Sequence, residues 1–127
     1  TGVSFTSTSD KALKDNVEDL KVEDCVSILS AVDGKQYTRN DRNDEPRVGF
    51  IAQDLQSACS GHFAHIVQST TKTEEDSQGE EIPGSERELL TVDYSRLVTI
   101  LWTCLKDTNN RVTQLENTIH QMQQTAS

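Results

Sequence analysis

The sequence is short of the residues on which several protein classes depend. Aromatic residues make up 5% of its 127 residues, proline occurs twice, and Asp and Glu outnumber Lys and Arg by 21 to 12. The resulting formal charge of -9 excludes nucleic acid as an expected partner, since binding a phosphate backbone requires clustered basic residues. An anionic membrane surface is disfavoured for the same reason.

Cysteines, histidines and long apolar runs are also scarce. Cys25, Cys59 and Cys104 are odd in number and form no CxxC pair, which argues against a disulfide framework or zinc site and predicts buried thiols. His62 and His65 stand three apart without a third ligand, so no metal and no other cofactor is predicted. No apolar run approaches the roughly 18 residues of a membrane span, and no secretory signal begins the chain.

The most informative stretch that is present covers residues 92–124. Its apolar residues return every three or four positions, which is the heptad pattern of a coiled coil. The a positions are Val98, Leu105, Val112 and Ile119, and the d positions are Tyr94, Leu101, Thr108, Leu115 and Met122. Such a helix spans about 50 Å, more than a domain of this size needs to cover its own core. Association with copies of itself is therefore expected.

The number and direction of the helices in the coiled coil are predicted from the residues that flank this seam. Arg111 at g and Glu116 at e can pair between neighbouring parallel helices. Residues 111–116 also match the trimer motif arginine, apolar, two variable residues, apolar, glutamate. Valine at a with leucine at d would alone favour two strands, so the trimer prediction depends on the motif. The predicted trimer contacts are Leu101, Leu105, Arg111, Val112, Leu115, Glu116 and Ile119. The alternative is a long helix packed within one chain.

The rest of the sequence predicts an α+β fold of short strands and helices with an extended hairpin. Helices are expected from a start at Ser9 or Asp10, over 22–31 and over 52–58, and the last helix is capped by Asp93. Strands are expected at 1–8, 36–38, 47–51, 65–68 and 88–92, with a turn-rich loop at 40–46. The acidic stretch 70–87 is predicted to be a mobile loop or wing.

The domain limits follow from these changes in character. Residues 1–8 are expected to end an upstream region, 9–91 to form an α+β domain, and 92–124 to form the coil. The chain begins in the middle of an extended pattern, so it is expected to be a piece of a longer protein.

Ser9 and Lys14 are the candidate nucleophile and base. If the chain turns from strand to helix at Asp10, the lysine can reach back to the serine, and free N–H groups at the helix start could stabilise an oxyanion. A lysine activates serine only as the neutral amine, and burial must supply that by lowering its pKa from about 10.4 by roughly three units. On spacing alone, a Ser-Asp pair before a helix is more often a cap.

Three blocks in one order add a family resemblance. They are Ser9-Asp10-x-x-Leu13-Lys14, then Gly-Phe-Ile-Ala-Gln-Asp-Leu over 49–55, then Val-Asp-Tyr over 92–94 leading into the coil. This order resembles the endosialidase-type intramolecular chaperone domain, which ends phage tailspikes and tail fibres and has a copy in the eukaryotic myelin regulatory factor proteins. The resemblance covers residues 9 to about 119, and the Gly-Phe-Ile-Ala-Gln block is its specific part.

The resemblance implies a homotrimer that guides assembly of an upstream fibre or spike domain and then cuts itself free. Ser9 would attack the carbonyl of Thr8, Lys14 would accept the proton, and Asp10 would shape the turn. Gln53 would hydrogen-bond a neighbouring chain, or else be an exposed helical residue. The product would be made in a host cytoplasm and released from a viral fibre, or alternatively form part of a membrane-bound transcription factor precursor.

Two other hypotheses remain open at this stage. One is a structural trimeric cap that shares the fold and never cuts. The other is a helical adaptor whose seam binds a foreign coil, which would be a monomer until its partner is added.

Overall fold

The computed structural model describes residues 6–126, and within them the chain alternates short helices and short strands before one long helix. The helices are α1 (Val22–Ala31), α2 (Ala52–Ala58) and α3 (Tyr94–Thr125), and the strands are β1 (Lys35–Arg39), β2 (Glu45–Gly49), β3 (Val67–Lys72) and β4 (Arg87–Val92). Single 3-10 segments cover Lys11–Leu13 and Gly61–Ile66. The predicted α+β class and long C-terminal helix are confirmed.

The core is formed by α1, α2, the start of β3 and the first third of α3. Apolar residues spaced three and four apart on α1 place one face of that helix against α3, which is the amphipathic pattern of a helix packed on one side. The buried residues are Cys25, Ile28, Val32, Leu55, Cys59, Ile66, Val67, Leu97, Ile100 and Cys104. Burying a side chain the size of leucine contributes about 1.5–3 kcal/mol, so this small cluster is the main intrachain source of stability.

The four strands form two separate antiparallel hairpins. β1 pairs with β2 from Lys35 opposite Gly49 to Arg39 opposite Glu45. β3 pairs with β4 from Val67 opposite Val92 to Lys72 opposite Arg87. The second hairpin is joined to the core because its first residue is buried. Most of the first hairpin is exposed on both faces.

The structure corrects several predicted boundaries. Residues 6–8 form no strand, and the remainder of the strand predicted at 1–8 lies outside the described residues. The helix expected near residue 10 is a single 3-10 turn, and residues 65 and 66 end a second 3-10 segment instead of starting a strand. β2 begins two residues before its predicted start at 47 and ends at 49, where the predicted strand continued to 51.

The acidic segment between β3 and β4 is shorter than expected. Because β3 continues to residue 72 and β4 begins at 87, the connection covers residues 73–86. It includes a bridge between Glu75 and Glu81. The Asp76 carboxylate accepts hydrogen bonds from the backbone N–H groups of Gln78 at 2.9 Å and Glu80 at 3.0 Å. This part of the wing therefore has an ordered turn.

α3 divides into a packed part and a projecting part. Leu97, Ile100 and Cys104 are buried, whereas every residue from 108 to 126 is exposed. The projecting part therefore lacks a core of its own. No helix among the described residues is long and apolar enough to cross a membrane.

Candidate functional site

Ser9 and Lys14 are in direct contact. The ammonium Nζ of Lys14 donates a hydrogen bond of 2.6 Å to the hydroxyl Oγ of Ser9. A strand would separate residues five apart onto opposite faces, so the contact requires the turn between them. The predicted reach of the lysine back to the serine is thus present, and a lysine amine beside a serine hydroxyl is the arrangement that serine activation requires.

The turn between the two side chains is fixed by Asp10. Its Oδ1 accepts from the N–H of Ala12 at 2.8 Å, while its carbonyl accepts from the N–H of Leu13 at 3.1 Å. The N–H of Lys14 donates to the carbonyl of Lys11 at 3.1 Å, and the chain then returns to an extended conformation. Asp10 therefore caps the turn, as its sequence position predicts.

The local surroundings differ from the expected ones in two respects. The turn has three helical residues, so it lacks the macrodipole of a regular helix, and the N–H of Ala12 is already bonded to Asp10. The regular helix predicted to follow Ser9 is therefore absent, and an oxyanion site at this turn stays a prediction. In addition, Thr8, Ser9 and Lys14 are all exposed in the single chain. The isolated protomer does not supply the burial that a neutral lysine would need.

The Gly-Phe-Ile-Ala-Gln block forms the junction between β2 and α2. A Cβ at Gly49 would lie 2.7 Å from the Tyr94 hydroxyl and 3.0 Å from the Tyr37 hydroxyl, so the absence of a side chain there leaves room for both hydroxyls. The Tyr94 hydroxyl accepts from the N–H of Phe50 at 3.0 Å, and the two rings stack with centroids 6.1 Å apart. The Val-Asp-Tyr block thus contacts the glycine block directly.

The sequence reasoning assigned Tyr94 to the coiled-coil seam and missed this contact. The presence of both blocks in the sequence indicated that they could be in contact, but it did not indicate which side chain makes the contact. Gln53 lies exposed in the first turn of α2, where its carbonyl accepts from Ser57 Oγ at 3.1 Å. Among the described residues, no hydrogen bond joins Gln53 to Ser9 or Lys14.

The heptad residues form an exposed apolar stripe on the single chain. Their exposed fractions range from 46% at Val112 to 70% at Leu105. The stripe contains Tyr94, Val98, Leu101, Leu105, Val112, Leu115, Ile119 and Met122. Arg111 and Glu116 beside it are also exposed. A stripe of this size without cover marks an interaction surface.

A different face of α3 packs within the chain. Leu97 and Cys104 are both g positions of the heptad, and they are buried together with Ile100. The alternative of a helix packed within one chain is therefore correct for the first third of α3, although it leaves the a and d residues uncovered. Cys104 therefore lies in the core of its own chain.

The three cysteines are free and buried, as predicted. Burial raises the pKa of the Cys25 and Cys104 thiols. The nearby Cys104 raises the pKa of Cys25 further, and Asp107 raises that of Cys104. Burial likewise raises the pKa of Cys59. These thiols therefore stay protonated and unreactive near neutral pH.

Comparison with known proteins bears on the site once its geometry is established. Residues 9–64, which include the Ser9–Lys14 pair, match the model of a peptidase family described as chaperone of endosialidase. A search among curated proteins finds no match.

Solved structures give the same fold. A protein described as a novel intramolecular chaperon superposes with a TM-score of 0.58 at 16% identity, covering 81% of this chain and 99% of that one. The carboxy-terminal domain of the bacteriophage T5 L-shaped tail fiber, with its intra-molecular chaperone domain, superposes with a TM-score of 0.52 at 14% identity. That match covers 94% of this chain and 33% of the fibre chain. Residues 9–64 thus match the chaperone-of-endosialidase family, and the chain has the fold of an intramolecular chaperone domain.

Proposed function

We propose that this chain is a self-cleaving intramolecular chaperone. It trimerises through α3, assists assembly of a fibre or spike region that precedes it in the same polypeptide, and cuts the bond between Thr8 and Ser9. In this proposal residues 1–8 end the upstream region, 9–91 form the chaperone domain, and 92–124 form the coil. The whole process takes place where the parent fibre is made.

The observation that carries the proposal is the hydrogen bond of 2.6 Å between Lys14 and Ser9. Neither residue belongs to the hydrophobic core, and no packing requirement brings the two ends of the turn together. A cap alone accounts for Asp10, because that carboxylate already satisfies the N–H of Ala12. Neither packing nor capping therefore accounts for the contact between Lys14 and Ser9, and a catalytic role does.

The proposed reaction balances without a cofactor. The neutral Lys14 amine takes the proton of Ser9 Oγ, the oxygen attacks the Thr8 carbonyl carbon, and the C–N bond breaks as Lys14 returns the proton to the Ser9 amine. The product of this step is an ester between Thr8 and Ser9 Oγ. A water molecule then gives a proton to the same lysine and attacks the ester carbonyl carbon, and the C–O bond breaks as the lysine returns that proton to Ser9 Oγ. Each chain cuts once, because Ser9 attacks only the bond that joins it to Thr8, and that bond is absent after the reaction.

Trimer formation is the proposed source of the missing burial. The exposed stripe on α3 requires cover, and the arginine–glutamate pair at residues 111 and 116 favours parallel copies. Bringing three protomers together would remove water from around Lys14 and favour its neutral form. Cleavage is thereby coupled to completed assembly, so an unassembled chain is not cut prematurely.

The test is the mass of the C-terminal product from a longer polypeptide that includes upstream sequence. We expect a fragment that begins at Ser9, and we expect Ser9→Ala and Lys14→Ala each to abolish it. Ser7→Ala and Lys11→Ala are matched controls, because they make the same changes two and three residues away. Both controls should cleave normally.

Two results would contradict the proposal. One is an intact polypeptide from the unmutated sequence, and the other is normal cleavage in Lys14→Ala. The exposure of Ser9 and Lys14 in the single chain favours one alternative, a structural trimerisation cap that never cuts. An intact chain that sediments as a trimer would establish that alternative.

A further inference from the structure

α1 carries an apolar edge that its own chain leaves open. Cys25 and Ile28 are buried, but Val26 remains 38% exposed and Leu29 48% exposed. These two residues lie three apart on one face of the helix, beside the face that packs into the core. Glu23 lies three residues before Val26 and extends the same face with a negative charge.

α3 carries a second open patch beside the heptad stripe. Trp102 is 70% exposed, and with Leu105, Lys106 and Asn109 it lines a shallow surface hollow. Lys106 follows the tryptophan by one helical turn, so the two side chains share a face. Among the residues that the structure describes, neither Lys106 nor Glu23 has an ion-pair partner. Each patch thus combines an uncovered apolar side chain with a free charge, and the two charges are opposite.

The heptad register relates these two patches to each other. Trp102 is an e residue, and in a parallel coil an e residue meets the g residue five positions earlier on the neighbouring helix, as Glu116 meets Arg111. The partner of Trp102 is therefore Leu97 of the next copy. Leu97 is already buried within its own chain, and α1 is the element that packs most extensively on α3. A neighbouring tryptophan would meet α1 there.

The height of α1 along α3 is consistent with this meeting. Val22 borders a hollow that also contains Trp102, Thr103, Lys106 and Asn110 of the same chain, so the first turn of α1 lies level with residues 102–110. Cys25 lies close enough to Thr103 for the threonine hydroxyl to lower the pKa of the thiol, although burial raises that pKa overall. The exposed edge of α1 thus lies at the height of Trp102 and Lys106 in an in-register copy.

We propose that Trp102 of one copy docks on the Val26–Leu29 edge of α1 in the next copy, with Lys106 facing Glu23. This inference rests on the proposed trimer and adds a contact between the coil and the chaperone domain. It would tie each protomer to its neighbour outside the a and d seam. The globular parts would then be fixed in orientation around the coil, which a seam alone does not achieve.

The test uses the emission of Trp102, the one tryptophan in the sequence. The reference is the double variant Leu115→Asp with Ile119→Asp, which we expect to be a monomer and whose changes are remote from the tryptophan ring. We expect the emission maximum of the assembled protein to lie at shorter wavelength than that of this variant. Val26→Ser with Leu29→Ser should shift it back to longer wavelength while the trimer mass persists. Val48→Ser is the matched control, because this residue is exposed on β2, and it should leave the emission unchanged.

Charge variants give a second measurement. Lys106→Glu should increase trimer dissociation on dilution, and adding Glu23→Lys to the same chain should restore the original trimer. A trimer whose tryptophan stays exposed, or whose emission ignores the α1 variants, overturns this inference and leaves the proposed function standing. A monomer at all concentrations overturns both.

Discussion

At the scale of single residues, Gly49 shows how one missing Cβ permits a junction. Two tyrosine hydroxyls converge on the space that a side chain would fill, and one of them accepts the N–H of Phe50. The glycine is required for this approach and not for its backbone angles, since it is absent from the glycines with positive φ. Its replacement therefore tests packing alone.

We expect Gly49→Ala to lower the free energy of unfolding by about 1–3 kcal/mol, the usual cost of overpacking. Tyr94→Phe should cost about 1 kcal/mol, since the Phe50 N–H loses its acceptor. The double variant should lose less than the sum, because removing the hydroxyl at 2.7 Å relieves part of the clash. Urea denaturation measures all three.

Gly34→Ala is the control for this series, since a Cβ there meets nothing within 4 Å. Strict additivity of Gly49→Ala and Tyr94→Phe would show that the hydroxyl is not what the new methyl group meets.

The residue scale also shows what the spacing of the first block could predict. A serine, an aspartate and a lysine five residues after the serine predicted a cap and a contact, and both are present. The turn is a 3-10 segment instead of a helix because neither Leu13 nor Val17 packs against the core, each being 74% exposed. Asn16 at a φ of 55° further interrupts a continuing helix.

At the scale of elements, Asp93 immediately precedes α3, and its carboxylate is hydrogen-bonded by side chains of the first turn of that helix. Its Oδ1 accepts from the Ser95 hydroxyl at 2.6 Å and its Oδ2 from Arg96 Nε at 3.0 Å. The Ser95 bond is the main reason that the pKa of Asp93 is lowered, with smaller contributions from Arg96. The capping position was predicted correctly, but the partners are side chains instead of backbone N–H groups.

A lowered folded pKa makes stability depend on pH in one direction. The contribution of Asp93 is fully present above its unfolded pKa of about 3.9 and is lost as the pH falls through the lower folded value. We therefore expect Asp93→Asn to reduce the free energy of unfolding at pH 6 and to have less effect near pH 2.

Urea titrations of both proteins at the two pH values measure the difference. Asp15→Asn is the control, since no hydrogen bond or ion pair of that carboxylate occurs in the described part of the chain. An equal loss at both pH values would contradict the assignment.

Element boundaries were predictable where an apolar period was long enough. α1 and α2 were predicted at their observed limits because apolar residues spaced three or four apart on each helix pack into or against the core. The 3-10 segment at 61–66 was not predicted, because the adjacent apolar residues Ile66 and Val67 are typical of a strand. Both are buried in the structure. The continuation of β3 to residue 72 was missed because its outer residues are threonines and a lysine without apolar alternation.

At the scale of the whole molecule, the proposed trimer determines whether the chain can cut. We expect Leu115→Asp with Ile119→Asp to give a monomer, because charged residues in the seam oppose association. The globular part should keep its fold, since residues beyond 108 make no buried contact with it. Cleavage should fall strongly in this monomer, because Lys14 then stays exposed to water.

Sedimentation and product mass measure the two effects separately. Gln114→Asp with Gln121→Asp places the same charges on outward c positions and should leave both trimer and cleavage intact. Full cleavage in the monomeric variant would show that assembly does not gate the reaction.

The exposure of α3 beyond residue 108 has one more consequence. Most helical stability in proteins comes from the packing of an amphipathic face and not from intrinsic propensity, so covering the exposed seam in the proposed trimer would stabilise this part of α3. Substitutions in this part of the seam would therefore change which chains associate without disturbing the core. Substitutions at Leu97 or Cys104 would disturb the core as well as the association. In the proposed trimer, residues beyond 108 would therefore set which chains associate, independently of the core.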